Sequence, residues 1–147
     1  MATAEDHFIE YKDFHREQKP SKKAVLANLF REISAFANTS GGEIIVGLDD
    51  KTHVEYVQPD CVYDWLENDR LTTAINALSD NLIVLNSKRE GVVIRIEVKE
   101  AEDVISARVD TLGINKGDCF IRENHETVKA KGEKFRRLLG SGLIASR

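Results

Sequence analysis

Glu10, Lys12, Asp49 and Asp50 are the residues of this chain whose types and positions suit chemistry on a phosphate. Glu10 and Lys12 lie two apart in Phe8 to Phe14, whose alternation predicts a strand, so both project from one face. Asp49 and Asp50 follow the apolar run Glu43 to Leu48, which reads as a strand covered on both faces, and they stand at the rim of that rigid element. Clustered carboxylates hold hard divalent cations, which stabilise charge building on a phosphodiester and activate a nucleophile. A lysine beside them neutralises phosphate or orients a water. Each residue also has a plainer reading: Glu10 and Lys12 as an exposed ion pair worth less than about 1 kcal/mol, and Asp49 as a residue that shapes its own turn.

The elements that must position these groups are legible from periodicity. Val25, Leu26, Leu29, Phe30, Ile33 and Phe36 recur at spacings of three and four, predicting a helix from Ser21 to Asn38 that Gly41 and Gly42 stop. Residues 49–52 read as a hairpin turn leading to a strand at 53–57. Val62 to Leu78 reads as a helix with a break near Asn68. Leu82 to Leu85 and Val92 to Val98 read as an antiparallel pair joined by the polar segment 86–91. A short strand at 105–109, a strand at 118–122 and a closing helix at 131–139 complete the chain. The sum is one α+β domain over 1–147, with 141–147 as a tail. Its mixed or antiparallel sheet contains the strands around Glu10, Ile45, Leu48 and Ile94, with the helix 21–38 packed across it.

Composition narrows the class. The chain is 41% hydrophobic and 31% charged, which is ordinary for a soluble domain. No apolar run approaches the roughly 20 residues of a membrane span, and the N-terminus lacks a basic region followed by an apolar core, so a cytoplasmic location is expected. Cys61 and Cys119 lack zinc-site spacing and read as free thiols, so no zinc is expected. The net charge is −4, yet Lys12, Arg16, Lys19, Lys22 and Lys23 form one basic segment and Lys129, Lys131, Lys134, Arg136, Arg137 and Arg147 another. Such surfaces track phosphates even on an acidic molecule, or are solvated faces. The double glycine follows a helix and precedes a strand, with no lysine after it; that is the reverse of a phosphate loop, and ATP binding is not expected. Its glycines read as capping and close-packing residues. Trp65, Tyr63 and Tyr56 could stack on bases, with core packing the plainer reading for Trp65.

Ala35-Phe36-Ala37-Asn38-Thr39-Ser40-Gly41-Gly42 running into Glu43 to Asp50, preceded by Glu10-Tyr11-Lys12 and followed later by Phe120-Ile121-Arg122 and a turn, resembles the AlbA_2 domain of the Schlafen family over Glu5 to Leu139. The resemblance implies a carboxylate triad of Glu5, Glu10 and Asp49, with Asp50 as the substitute if the register shifts by one. These would hold Mg2+ or Mn2+, with Lys12 assisting, in an endoribonuclease acting on structured, tRNA-like RNA. It also places a phosphate-contacting arginine at Arg122. Lys12, Lys22, Lys23 and Arg122, with Lys134, Arg136 and Arg137 as a second strip, are the expected nucleic-acid contacts, RNA before DNA. A non-catalytic module binding nucleic acid or a protein is the alternative. Because Schlafen cores clasp RNA with two related lobes, a homodimer is expected here.

Overall fold

Ser21 opens the longest element: its hydroxyl accepts the Ala24 N–H at 3.2 Å, satisfying one of the free donors of a helix start. In the computed structural model, which describes residues 8–130, helix α1 (Lys22–Thr39) follows β1 (Ile9–Lys12) and precedes β2 (Gly42–Val46). With the helix as their crossover, β1 and β2 pair in parallel, Glu10 beside Ile44 and Lys12 beside Val46. Two short helices, α2 (Asp60–Trp65) and α3 (Asn68–Leu78), lead to the hairpin β3 (Leu85–Glu90) and β4 (Val93–Val98). β4 runs antiparallel to β2, giving a mixed sheet in the order β1-β2-β4-β3. A second hairpin, β5 (Phe120–Glu123) and β6 (Glu126–Lys129), packs on α1.

The core lies between α1 and the sheet. Leu29, Phe30, Ile33 and Phe36 meet Ile44, Val46, Ile94, Ile96 and Val98, and Leu71 and Ile75 of α3 extend the same cluster. Each such side chain contributes about 1.5–3 kcal/mol on burial, so this apolar stripe, more than helix propensity, fixes where α1 lies. Its C-terminal end is closed by glycines. The Gly41 N–H reaches back to the Phe36 carbonyl at 2.7 Å with φ at +76°, and a Cβ on Gly42 would sit 2.3 Å from the Phe36 ring.

The α+β class, the sheet partners of Glu10, Ile45 and Ile94, and the capping role of the glycines match expectation; Leu48 lies just past β2 in an isolated bridge to Glu55. Four local readings change. The strand expected at 53–57 amounts to that one bridge, because His53 at φ +60° turns the backbone away. The polar segment 86–91 is largely strand: β3 runs to Glu90, and the turn is only Gly91 and Val92. As an edge strand, β3 carries Asn86, Lys88 and Arg89 in solvent without burying them. The strand expected at 105–109 is a single bridge between Ser79 and Ala107. The turn expected between Glu123 and Val128 is mostly strand β6, closed by Asn124 and His125, both at positive φ as a two-residue hairpin turn requires. The long helix breaks at Leu66 and Glu67, where the Glu67 carboxylate accepts the Asp69 and Arg70 N–H groups and caps α3. The closing helix 131–139 and the tail lie outside the described residues.

Asn38 ties the irregular segment after β4 to α1. Its Nδ2 donates to the carbonyls of Ile105 and Phe120, both at 2.9 Å, and its Oδ1 accepts the Ile105 N–H at 2.7 Å. A loop with little ladder of its own thereby has its backbone groups satisfied.

Candidate functional site

Glu32 occupies the buried face of α1, one turn before Phe36, and a carboxylate there must be paired. Three elements supply its partners. From β1, the Lys12 ammonium lies 2.8 Å from Glu32 Oε2; from β5, Arg122 Nη1 lies 3.2 Å from Oε1; from β6, the Thr127 hydroxyl donates a short hydrogen bond to the same Oε1. Arg122 and Thr127 reach it together because they are directly opposed across the β5–β6 ladder. Glu10, on the same face of β1 as Lys12, brings a second carboxylate: Oε1 lies 3.1 Å from Arg122 Nη1 and Oε2 lies 3.9 Å from Lys12. Two carboxylates and two cations thus form one charge-balanced cluster between the sheet, α1 and the second hairpin.

Arg122 is the pivot of this cluster. Its side chain is 4% exposed, its Nη2 donates to the His125 carbonyl at 2.9 Å, and its guanidinium lies over the Phe36 ring at 4.6 Å. Its backbone N–H is bound by the Thr39 hydroxyl. Glu10 has its pKa raised, chiefly by burial and next by the neighbouring Glu32 charge, against the opposing pull of Lys12 and Arg122.

Asp49 is placed differently. Its Oδ1 accepts the N–H groups of Lys51 and Thr52, each at 2.8 Å, and these bonds hold its pKa below the usual value. Asp50 is exposed in the same turn. Lys22 and Lys23 are exposed in the first turn of α1, beyond the exposed Arg16 and Lys19. Glu5, Lys134, Arg136 and Arg137 lie outside the described residues. The structure therefore brings together Glu10, Lys12 and Arg122, and adds Glu32 and Thr127, which sequence reasoning missed. One signal for Glu32 was in the sequence: an acidic residue inside the Leu29, Phe30, Ile33 and Phe36 stripe, where a solvated charge does not belong. Thr127 gave none.

As donors for a metal, Glu10 and Glu32 offer hard oxygens, yet those oxygens face Lys12, Arg122 and Thr127. Among the described residues no group of three or more His, Cys, Asp and Glu side chains is arranged to hold a metal ion. The aromatic candidates divide: Trp65 and Tyr63 pack against the core, and Tyr56 stacks on His15 with ring centroids 4.2 Å apart. Both cysteines are free, and among the described residues no helix is long and apolar enough to cross a membrane.

The family model described as Schlafen, AlbA_2 matches residues 5–131, which takes in β1, the glycine turn and the Arg122 hairpin together. The chain belongs to the Schlafen AlbA_2 family. Membership points to a role connected with nucleic acid. Among solved structures, the crystal structure of the DIP2311 protein from Corynebacterium diphtheriae is similar, with a TM-score of 0.63 and 20% identity over 92% of this chain. That alignment covers 24% of the DIP2311 chain, so this protein spans about a quarter of its length, and the likeness is one of fold. No curated protein matches the sequence.

Proposed function

We propose that this AlbA_2 domain binds nucleic acid, RNA in preference to DNA, through the cationic surface at the start of α1. One observation carries the reading: Lys22 and Lys23 stand exposed in the first turn of a long helix that has no acidic residue there. Lysines at that end oppose the helix dipole and cost stability, so their placement is better explained by an anionic partner than by the fold. Arg16 and Lys19 extend the patch, and in sequence Lys134, Arg136 and Arg137 supply a second one. Lys12 and Arg122 stand apart from this patch, since their charges are balanced by Glu10 and Glu32. A homodimer doubles the phosphate contacts on one strand, and light scattering at micromolar concentration tests it.

The test is fluorescence anisotropy of a labelled single-stranded RNA, and of the same sequence in DNA, over a salt series. Neutralising both lysines, Lys22→Gln with Lys23→Gln, is expected to weaken binding and lessen the salt slope by about 1.4, roughly 0.7 per lost phosphate contact. Affinity that ignores salt would point to a protein partner.

Metal-dependent cleavage of structured RNA through Glu5, Glu10 and Asp49 is the second reading. Glu10 gives it one hard, partly exposed carboxylate, and Glu32 places a second carboxylate on the same Arg122 guanidinium. Such an ion would supply Lewis-acid stabilisation of the phosphate, and the present pairing of Glu10 would have to change to admit it. Incubation with tRNA in manganese or EDTA, beside Glu10→Ala with Asp49→Ala, decides it: cleavage by both proteins, or by neither, removes this reading.

A further inference from the structure

A cavity of about 200 Å³ opens beside the buried cluster, at the C-terminal end of α1 and against the β5–β6 turn. Phe8 and Phe36 give it apolar walls; Thr39, Ser40, Gly41, Asn124 and His125 form the polar rim; and Arg122 reaches it from inside. Every other nitrogen of the Arg122 side chain has a partner, but its buried Nε–H has no acceptor. A buried donor left without an acceptor costs about 1–3 kcal/mol, so an arginine that is 9% exposed and lines a cavity marks a place for an acceptor carried by a ligand.

Charge and size say which acceptor. Among the described residues Glu10 and Glu32 balance Lys12 and Arg122, and Glu123 lines the same cavity, so an added anion would meet no uncompensated positive charge from them. The favoured acceptor is uncharged, a carbonyl oxygen. The volume is well below the roughly 300–1,000 Å³ of pockets that enclose whole drug-sized ligands, and it suits one flat ring system. Phe8 is 41% exposed at the mouth, as a stacking surface must be. Gly41 belongs to the lining, and a Cβ there would fall 2.8 Å from the Val98 carbonyl, so the turn behind this wall is packed too closely for a side chain.

We propose that this cavity takes one unpaired nucleobase, packed against Phe8, with a ring carbonyl accepting the Arg122 Nε–H once the side chains that cover that nitrogen shift aside. The proposal rests on the nucleic-acid reading for its choice of heterocycle, and it adds what the cationic patch lacks, a contact to a base instead of to a phosphate. It makes the domain a reader of single strands or unpaired loops, because a paired base cannot enter.

The first experiment titrates the ¹⁵N-labelled protein with uridine, cytidine, adenosine and guanosine at millimolar concentration, with ribose phosphate as a control. The expected result is movement of the Arg122 Nε–H resonance and the backbone amides of Ser40, Gly41 and Asn124 with at least one of uridine, cytidine and guanosine, no movement of the Nε–H with adenosine, which lacks a ring carbonyl, and none with ribose phosphate. No movement of the Nε–H signal with any nucleoside overturns the proposal, as does equal movement with ribose phosphate, which would make the cavity an anion site. The second experiment compares an oligonucleotide with its abasic counterpart. Loss of about tenfold or more in affinity is expected, the size of one base–aromatic stack, and Phe8→Ala should abolish that difference. Salt-dependent binding that is indifferent to the abasic change, with a silent Nε–H, sinks the cavity and leaves the cationic patch standing. Nucleoside shifts without oligonucleotide affinity support the cavity and sink the patch.

Discussion

Replacing Arg122 with methionine tests whether the cluster behind β1 holds the fold together. Arg122→Met keeps an unbranched apolar stem over Phe36 but removes the ion pairs to Glu10 at 3.1 Å and Glu32 at 3.2 Å, and the bonds to Thr127 and the His125 carbonyl. Removing one partner of a buried pair costs about 3–5 kcal/mol. The Arg122 side chain is 4% exposed and Glu32 11%, while Glu10, at 24%, keeps some water, so the lower end of that range, about 3 kcal/mol, is expected. For a domain of this size that lowers Tm by about 6–12 °C. The deficit also has a pH signature. Glu10 already has a folded pKa above its unfolded value of 4.5, and losing Arg122 raises it further. Between those two values the folded state binds more protons than the unfolded, so stability falls as pH rises through the window, and the share of the penalty that Glu10 carries vanishes below it. Urea denaturation followed by circular dichroism, near neutrality and near pH 4.5, should show the deficit shrinking toward acid. A loss under about 1 kcal/mol at neutrality, or a deficit that grows on acidification, would refute this account of the cluster.

Asn38→Leu strands an N–H and two carbonyls that its amide now satisfies, and thermal denaturation should register about 3 kcal/mol or more, at roughly 1–3 per buried group; a neutral effect would show that water replaces the amide. Gly47→Ala, at φ +97° with a new Cβ 3.0 Å from the Tyr56 carbonyl, should cost about 1–3 kcal/mol. Gly91→Ala, also at positive φ but with open space around it, should cost less, and the reverse order would discredit the steric argument. Burial, aided by Asp80, pushes the Cys119 thiol up to about 11, so iodoacetamide at mildly alkaline pH should modify Cys61 and spare Cys119, as peptide mass mapping would show. Equal labelling would mean that the segment covering Cys119 opens readily.

The sequence carried the sheet and the long helix well, because their signals are local: Leu29, Phe30, Ile33 and Phe36 announce one face of α1, and the paired glycines its end. It misjudged β3, where Asn86, Lys88 and Arg89 look like a loop. Polarity on an edge strand reports solvent, not conformation, and only the ladder to β4 makes it a strand. Half of the β1 cluster was visible, since Glu10 and Lys12 are two apart on a strand. Glu32 and Thr127 join them through tertiary packing that no spacing encodes. Arg122 stood out as an arginine leaving a strand, but nothing in its neighbourhood of sequence told that its charge would be turned inward.

The pairing of Glu10 with Arg122 joins residues from opposite ends of the described chain. During synthesis the β1–α1–β2 unit emerges long before β5, and until the second hairpin arrives Glu32 and Glu10 share Lys12 alone. Contacts so distant in sequence close late and slow the search for the native state. A nascent or truncated chain ending before Phe120 would thus carry Glu10 and Glu32 beside its apolar core with Lys12 left to balance them both. The domain is in that sense self-proofreading: its sheet can be drafted early, but the last strands must be read before the charges at its heart are settled.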